Sequence, residues 1–574
     1  MRLFRRLKKP GSALAATPTD AIVVEGSIKS TGARARSRLL MSMALFMAIF
    51  AVIGGRLAYF GMIDPDTRRP VASNRNLVSR PDIVDRNGEV LATDIKTASL
   101  YAEPRRIVDA DEAVELLTTV LPDLDINTTY RRLRSGGGFA WLRRELTPRQ
   151  QNEIQKLGIP GIGFRTEKRR FYPGGPTASH VLGLVNIDNQ GTAGMEKYID
   201  DQGFADLQAA GLTAGADLEP VKLSIDLRVQ HIVRDEISRA MERFHAIAAG
   251  AVVLNVRTGE VVAMASLPDY DPNNPYNALE KDRLNRMSAG VFEMGSTFKT
   301  FTTAMALDSG KVHLGDKFDA RKPIRIARFT IHDFHGKHRW LSVPEIFIYS
   351  SNIGTAKMAD VIGTEGHRAF LKRIGLLDRL HTELPEVAHP TEPKQWKKLN
   401  SITISFGHGM ATTPLQTAVA AAALLNGGRL IQPTFLPRSE REAELAGTQV
   451  VDPATSNMMR YLFRLNVEKG SGRRADVPGY FVGGKTGTAE KVVNGRYVSN
   501  KRFNAFLAGF PINDPQYVVL VILDEPKPEK PGAGATAGIN AAPTVAGIIG
   551  RAAPLLGVKP EFGHESKALL ISHR

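Results

Sequence analysis

The sequence has no cysteine, and it has only one long, nearly uncharged apolar run in 574 residues. The absence of cysteine excludes disulfide bonds, thiolate metal sites and a cysteine nucleophile. The absence of a second apolar run excludes a protein that crosses a membrane several times. Hydrophobic residues still make up 43% of the chain, which excludes a disordered protein and, with the length, predicts about two to four domains.

Acidic residues are too few to balance the basic ones. There are 59 Asp and Glu against 75 Lys and Arg, so the formal net charge is +16. Residues 1–38 hold nine Lys and Arg against two acidic residues. A basic segment of this kind is typical of a cytoplasmic tail beside a membrane span. No groove-reading motif accompanies the charge, so nucleic acid is not expected as a partner.

The apolar run covers residues 39–63 and is interrupted by a charge only at Arg56. A helix over this range would be about 38 Å long, whereas the hydrocarbon core of a bilayer is ~30 Å thick. The sequence therefore predicts a single transmembrane helix over 39–63, with the basic tail 1–38 in the cytoplasm and the later residues outside. A cleaved secretory signal is the alternative, which the long leader and the lack of an Ala-x-Ala site disfavour.

Beyond this anchor, changes of periodicity divide the chain into two folded regions. The first, residues 64–220, contains an Asp85-Arg-Asn-Gly88 turn between apolar alternations, which predicts a hairpin. Helical periodicity is present over 111–134 and 147–157. The second region is residues 221–560, and a tail over 561–574 is expected to be frayed.

Residues 221–560 have strand patterns at both ends and helical patterns between them. A short strand is predicted over 221–226 and an amphipathic helix over 227–245. Further strands are predicted at 248–256, 261–265, 503–510 and 517–523. This arrangement predicts an α+β fold with an antiparallel sheet flanked by helices.

Ser296 and Lys299 form a Ser-x-x-Lys motif directly after Gly295. In a helix that begins here, the two side chains lie on one face, one turn apart. The helix N-terminus favours negative charge at Ser296, and this field together with burial lowers the pKa of Lys299. A neutral Lys299 can accept the hydroxyl proton of Ser296 and make it a nucleophile. Alone, however, such a motif is more often part of a surface helix with a solvated lysine.

Ser350 and Asn352 form a Ser-x-Asn motif after a short helix predicted over 341–349. Ser350 can relay a proton between Lys299 and a leaving nitrogen. Asn352 can donate to the neighbourhood of Lys299 or to a substrate carbonyl. Alone, Ser-x-Asn is most often a turn or a helix cap.

The third motif is Lys485-Thr486-Gly487-Thr488, at the end of a strand-like segment. Gly487 removes a side chain where a substrate backbone would approach, and Lys485 and Thr486 can bind a carboxylate. The backbone N–H groups of Thr488 and Ser296 can form an oxyanion hole.

Residues 479–486 also match the letters of a phosphate-binding loop, G-x-x-x-x-G-K-[ST]. Residues 480–483 are strand-like, however, and Asn494-Gly495 indicates a hairpin turn where such a loop requires a helix. This context disfavours nucleotide binding. No cofactor and no metal site are predicted.

Together the motifs supply a nucleophile, an amine base, a proton relay and a substrate-holding strand, which indicates a serine enzyme that attacks peptide or β-lactam carbonyls. In this order they resemble those of class B penicillin-binding proteins, and the resemblance extends from the anchor to about residue 556. Residues 80–88 and 191–198 resemble segments of that family's pedestal, and 405–416 a segment near its cleft. Residues 519–526 are most similar to the division-specific, penicillin-binding protein 3 type.

The resemblance implies a D,D-transpeptidase that works on peptidoglycan. Ser296 would attack the D-Ala-D-Ala bond of a stem peptide, release D-Ala, and pass the acyl group to an amine on a neighbouring stem. Lys299 would be the base, and Lys485 and Thr488 would hold the terminal carboxylate. β-Lactams would acylate Ser296 because they mimic the donor.

The resemblance also implies domain roles, location and partners. Residues 64–220 would be a non-catalytic, dimerisation-like pedestal, and 221–560 the transpeptidase domain. The chain would lie in the bacterial inner membrane with its catalytic domain in the periplasm, at the division septum. Its partners would be stem peptides, β-lactams, a membrane-embedded glycan polymerase of the SEDS family and other division proteins.

Several alternatives remain open from the sequence. An elongation-specific paralogue would use the same chemistry at another place in the cell. A β-lactam sensor or idle scaffold would bind without turnover, but a sensor should carry a cytoplasmic effector domain, and only 38 residues precede the predicted anchor. A β-lactamase is disfavoured by the anchor and the extra domain. A bifunctional enzyme would need glycosyltransferase motifs, which residues 64–220 do not show.

Overall fold

The computed structural model describes residues 40–55, 80–204, 218–326, 329–493 and 495–562. Residues 40–55 are helical. Within the described ranges, no helix combines the length and apolar character needed to cross a membrane. The predicted tail 1–38, the remainder of the predicted anchor and residues 563–574 lie outside the described residues.

The first domain is built around one long strand, β2, which pairs antiparallel with β1, β3 and β4. Its strands are β1 Ile83–Val84, β2 Val90–Ala102, β3 Ala140–Leu146, β4 Ile162–Phe171, β5 Leu184–Val185 and β6 Gly191–Ala193. Its α-helices are Ala110–Val120, Ile126–Leu133, Pro148–Lys156, Ser179–Leu182 and Gly194–Ile199. Apolar side chains from β2, β3 and the first three helices form a core that includes Leu100, Leu117 and Leu142.

Local chemistry explains both a confirmed turn and a wrong helix boundary in this domain. The hairpin turn lies where it was predicted, with Gly88 N donating to Asp85 O at 3.1 Å. The helix predicted over 111–134 is instead two helices, because Pro122 lacks the N–H that a continuous helix needs. Asp125 then caps the second helix by accepting from Thr128 N at 2.9 Å.

Buried polar groups tie the start of this domain to later parts of the chain. Glu196 accepts from Arg80 Nε at 3.0 Å and from Arg170 Nε at 2.6 Å, and all three side chains are almost completely buried. Asp85 accepts from Leu227 N at 3.0 Å. The ion pairs of Glu196 therefore hold the first domain together, and their mutual pairing keeps burial of these charges tolerable, whereas the Asp85 contact with Leu227 attaches this domain to the second.

The second domain contains a five-stranded antiparallel sheet. Its strands are β7 Val221–Lys222, β8 Ala248–Asn255, β9 Val261–Leu267, β10 Lys317–Asp319, β11 Ile324–Ile326, β12 Phe329–Ile331, β13 Trp340–Ser342, β14 Arg429–Leu430, β15 Thr448–Gln449, β16 Gly483–Val493, β17 Arg496–Phe510 and β18 Tyr517–Asp524. Its α-helices are Leu227–Arg243, Lys299–Asp308, Val343–Tyr349, Asn352–Ile362, Thr364–Arg373, Lys398–Ser405, Pro414–Leu425, Glu440–Ala446, Pro453–Lys469 and Ala541–Ala552.

The central sheet has the order β16-β17-β18-β8-β9, and all neighbours are antiparallel. Every residue of β18 is buried, because helices cover both faces of the sheet. Val519 and Val521 pack in the core with helices Leu227–Arg243 and Ala541–Ala552. Leu520 packs on the opposite face. The predicted α+β fold is confirmed, and the strands at both ends of this region occur as predicted, although the strand predicted over 221–226 is only two residues long.

Candidate active site

The Ser-x-x-Lys motif forms a tight turn that leads into a buried helix. Residues Gly295–Phe298 are 3₁₀-helical, and the α-helix Lys299–Asp308 continues from them. Side chains three residues apart are eclipsed in a 3₁₀ turn, so Ser296 and Lys299 share a face as predicted. Ser296 is partly exposed, whereas Lys299 is 1% exposed. The turn therefore presents the hydroxyl and buries the amine.

Ser350 joins the other two motifs. Its hydroxyl accepts from Lys299 Nζ at 3.0 Å and from Lys485 Nζ at 2.9 Å. Lys299 Nζ also donates to the Ser350 carbonyl at 2.5 Å. Because the hydroxyl oxygen accepts from both amines, its own hydrogen remains available to a third group. The structure thus brings together residues that lie 51 and 135 positions apart.

Among the described residues, no carboxylate forms an ion pair with Lys299 or Lys485, so a positive charge on either buried amine is costly. Burial lowers the pKa of Lys299 well below its ordinary value, and the positive charge of Lys485 lowers it further, while Asp333 opposes both. Burial alone lowers the pKa of Lys485 to about 7. Two positive charges on one hydroxyl repel each other, so the pair favours a single positive charge, and we assign that charge to Lys485 because the pKa of Lys299 is the more strongly lowered. Lys299 then has the neutral amine that a base needs.

The third motif lies on β16, an edge strand of the central sheet. Side chains alternate along a strand, so Lys485 faces Ser350 while Thr486 and Thr488 share the other face. The Thr486 hydroxyl lies 2.7 Å from Ser471 Oγ, and Thr488 Oγ1 accepts from Ala537 N at 3.2 Å. Lys485 and Thr486 were predicted to bind one carboxylate together, but their side chains point to opposite faces of β16. The hydroxyls of Thr486 and Thr488 lie on one face of β16, and Ser471 Oγ lies against the Thr486 hydroxyl there.

Gly487 is required by the protein's own backbone. A Cβ at this position would lie 2.5 Å from Met294 O and 2.7 Å from Thr297 Cγ2. A Cβ on Gly295, whose φ is +53°, would lie 2.9 Å from the Thr488 carbonyl. The close approach predicted for a substrate at Gly487 is thus made by the nucleophile turn itself. These contacts bring the backbone of Thr488 next to that of Ser296, as a shared oxyanion hole requires.

We expect Gly487→Ala to separate β16 from the nucleophile turn. Because the added methyl meets a backbone carbonyl that cannot rotate away, the Thr488 and Ser296 N–H groups move apart. The rate of acylation by a fluorescent penicillin should fall roughly 100-fold, since one misplaced oxyanion donor costs about that much. Gly315→Ala is the control, because its Cβ would meet nothing within 4 Å. Native labelling of Gly487→Ala would contradict the assignment.

Asn352 makes a hydrogen bond that was not predicted. Its Nδ2 donates to His332 O at 2.9 Å, at the start of helix Asn352–Ile362. The hydrogen bonds of the described residues do not join it to Lys299. Its predicted contact with a substrate carbonyl stays a prediction.

The sequence reasoning missed two residues beside the motifs. Ser471 contacts Thr486, and Asp333 accepts from Ser351 Oγ at 2.7 Å. Neither lies in a recognisable pattern, because each reaches the site through a loop from a distant part of the chain. Among the residues that the structure describes, no group of three or more His, Asp and Glu side chains could hold a metal ion.

A serine in a tight turn, a buried neutral lysine one turn later and a second serine between two amines define a serine acyltransferase site that works through an ester on the enzyme. Comparisons with known proteins agree. Residues 249–549 match the penicillin-binding protein transpeptidase domain, and 75–203 match the penicillin-binding protein dimerisation domain. The chain therefore belongs to the penicillin-binding proteins in which a dimerisation domain precedes a transpeptidase domain.

Curated relatives cover most of the chain. It is 41% identical to a probable peptidoglycan D,D-transpeptidase FtsI of Caulobacter vibrioides, over 84% of this chain and 82% of the relative. It is 32% identical to a probable peptidoglycan D,D-transpeptidase PenA of Neisseria gonorrhoeae, over 91% and 93%. It is 28% identical to the peptidoglycan D,D-transpeptidase FtsI of Escherichia coli K12, over 91% and 92%.

Proposed function

We propose that this protein is a peptidoglycan D,D-transpeptidase that links stem peptides through an acyl-enzyme on Ser296. The observation that carries the proposal is the meeting of Lys299, Ser350 and Lys485 at one hydroxyl, beside the turn that presents Ser296. The names of the relatives supply the reaction and the substrate class.

In the acylation step, Lys299 takes the hydroxyl proton of Ser296 as the serine oxygen attacks the carbonyl carbon of the penultimate D-Ala. The oxyanion that forms is held by the backbone N–H groups of Ser296 and Thr488. The proton passes from Lys299 through Ser350 to the nitrogen of the terminal D-Ala. The C–N bond then breaks, and D-Ala leaves as a neutral amine with its carboxylate.

The donor is held by its terminal carboxylate. The hydroxyls of Thr486, Thr488 and Ser471 face it from one side of β16. Because Ala537 N donates to Thr488 Oγ1, that oxygen is already occupied as an acceptor and its hydrogen can be given to the carboxylate. Lys485 supplies a positive charge from the opposite face of the strand, where it lies beside Ser350. Asn352, at the start of helix Asn352–Ile362, contacts the donor backbone from the side opposite β16.

In the second step, an amine of a neighbouring stem peptide attacks the ester. The amine proton returns to the oxygen of Ser296 by way of Lys299 and Ser350, and the amide that forms is the cross-link. β-Lactams follow the first step but leave no separate amine to depart, so the ester accumulates. Penicillin should therefore label the enzyme stably.

The experiment that tests the reaction uses the purified full chain, a D-Ala-D-Ala stem peptide and an excess of an acceptor amine. We expect free D-Ala and cross-linked product in equal amounts by mass spectrometry, and neither from Ser296→Ala. Release of D-Ala without any cross-link at high acceptor concentration would instead identify a carboxypeptidase.

The proposal also covers the domain boundaries and the location of the protein in the cell. Residues 64–220 form the pedestal, dimerisation-like domain and 221–560 the transpeptidase domain, and the family matches fall inside these bounds. The apolar run at 39–63 anchors the chain once in the inner membrane, with 1–38 in the cytoplasm and the catalytic domain in the periplasm.

The similarity to the two FtsI relatives supports septal cell-wall synthesis, with a SEDS-family glycan polymerase and other division proteins as partners. A functional fluorescent fusion should gather at mid-cell, and an even side-wall signal would favour an elongation role.

A further inference from the structure

A carboxylate that the reaction scheme does not use lies beneath the Ser350–Asn352 turn. Asp333 Oδ2 accepts from Ser351 Oγ at 2.7 Å, and Asp333 Oδ1 accepts from Ile353 N at 2.9 Å. The residue before Asp333 also binds the turn, because the His332 carbonyl accepts from Asn352 Nδ2 at 2.9 Å. Two adjacent residues of the loop before β13 therefore hold Ser351 and Asn352 of the motif and the residue that follows it, Ile353.

The turn needs such an attachment because its backbone is unusual. Ser350 has φ +55°, in the left-handed region that residues with a Cβ disfavour. It separates helix Val343–Tyr349 from helix Asn352–Ile362, so a small rotation there would move the hydroxyl away from both amines. Ser351 accepts from Gly354 N at 2.9 Å while it donates to Asp333, which links the loop to the first turn of the second helix.

Asp333 also brings negative charge to a site that otherwise holds amines. In the part of the chain that the structure describes, the charged or polar groups that face Lys299 include Lys485 from β16, the Ser350 hydroxyl and carbonyl from the turn, Asp333 from its loop and His408 from the segment after helix Lys398–Ser405. Burial lowers the pKa of His408 to about 4, so it is neutral at physiological pH. Asp333 is the group in this set that raises the pKa of Lys299. It is only partly buried, and its carboxylate has two donors.

We propose that Asp333 is a positioning residue for acyl transfer, which holds Ser350 between Lys299 and Lys485 and supplies the negative charge that balances the proton these amines share. The inference rests on the proposed function, because it assigns Asp333 a part in the same acylation step. Asp333 acts through the turn and through the field at the amines, and it does not contact the substrate.

Two substitutions separate the geometry from the charge. Asp333→Asn keeps an acceptor for Ile353 N and a polar partner for Ser351, but it removes the negative charge. Since Asp333 raises the pKa of Lys299, losing the charge lowers that pKa, and Lys299 stays neutral to a lower pH. The acidic limb of the acylation-rate profile should therefore shift to lower pH by roughly half a unit to one unit. A residue with only a structural part would not move this limb.

Asp333→Ala removes both hydrogen bonds as well as the charge. The turn is then free to relax, and the acylation rate at the top of the profile should fall roughly 10- to 100-fold, as expected for misplaced catalytic groups. Asp360→Asn is the matched control, because Asp360 lies on helix Asn352–Ile362 and pairs at the surface with Lys398 at 2.6 Å. It should acylate like the native chain at every pH.

The measurement is the second-order rate of labelling of the full chain by a fluorescent penicillin from pH 5 to 10, with melting temperatures recorded for each variant. An Asp333→Asn profile that superimposes on the native one would overturn the proposal. So would native rates in a folded Asp333→Ala. If Asp333→Ala does not fold, the Asp333→Asn profile decides alone. Failure of the proposed function is a separate result that appears in the native chain itself, either as no label at all or as D-Ala released without a cross-link in the stem-peptide assay.

Discussion

Ser296→Ala should abolish covalent labelling by fluorescent penicillin and leave the fold intact. Ser296 is the hydroxyl that the 3₁₀ turn Gly295–Phe298 presents beside the buried amine of Lys299. Removing the nucleophile of a serine enzyme costs roughly a millionfold in rate, which takes the label below detection. The side chain is small and partly exposed, so the melting temperature should stay close to that of the native chain.

The control for this experiment is a second serine at the same site. Ser350→Ala removes the relay but leaves the nucleophile, so labelling should slow by roughly 100-fold and still reach completion with long incubation. Ser296→Ala should show no label at any time. A labelled band that persists in Ser296→Ala would assign the ester to another residue and end the proposed mechanism.

The second large effect concerns the base. Lys299→Met and Lys299→Arg should both reduce the acylation rate by ~10²–10⁴-fold, because a thioether cannot accept a proton and a guanidinium does not give one up. The stability of the folded protein should not fall with the rate. Methionine fills a similar volume without a buried amine, so the melting temperature of Lys299→Met should equal or exceed that of the native chain.

The pH dependence of the native enzyme follows from the two amines. Lys299 must be neutral to act as base, and its pKa is lowered by burial and by Lys485, so the rate rises as pH passes this low value. Lys485 must keep its charge to attract the donor carboxylate, and burial brings its pKa to about 7. The rate should therefore fall again above this pH. A bell-shaped profile supports the assignment of one shared proton, and a rate that climbs steadily to pH 10 would contradict it.

Lys485→Gln tests the second limb of that profile. It removes the positive charge beside Ser350, so the alkaline fall should disappear and the affinity for carboxylate-bearing donors should drop. Because the repulsion of Lys485 no longer lowers the pKa of Lys299, the acidic limb should move to higher pH. An unchanged profile would show that Lys485 does not interact with the base.

Local patterns in the sequence were enough for features that depend on neighbouring residues. Ser296 and Lys299 share a face because they are one helical turn apart, whichever helix type forms. The Asp85–Gly88 hairpin and strands β8 and β9 were predictable because turn residues and alternation are local signals. Even here Pro122 divided a predicted helix, since one missing N–H outweighed the surrounding periodicity.

Only the tertiary structure decided which side chains meet. Nothing local places Ser350 between two lysines that lie 51 and 135 positions away from it. The same holds for Asp333 beneath the turn, for Ser471 beside Thr486, and for the backbone approach that requires a glycine at 487. The sequence by itself determined the chemical groups and their order, because residue type and short spacing are local properties. Their distances, burial and shifted pKa values arose from the packing of the sheet against its helices, which depends on the whole chain at once.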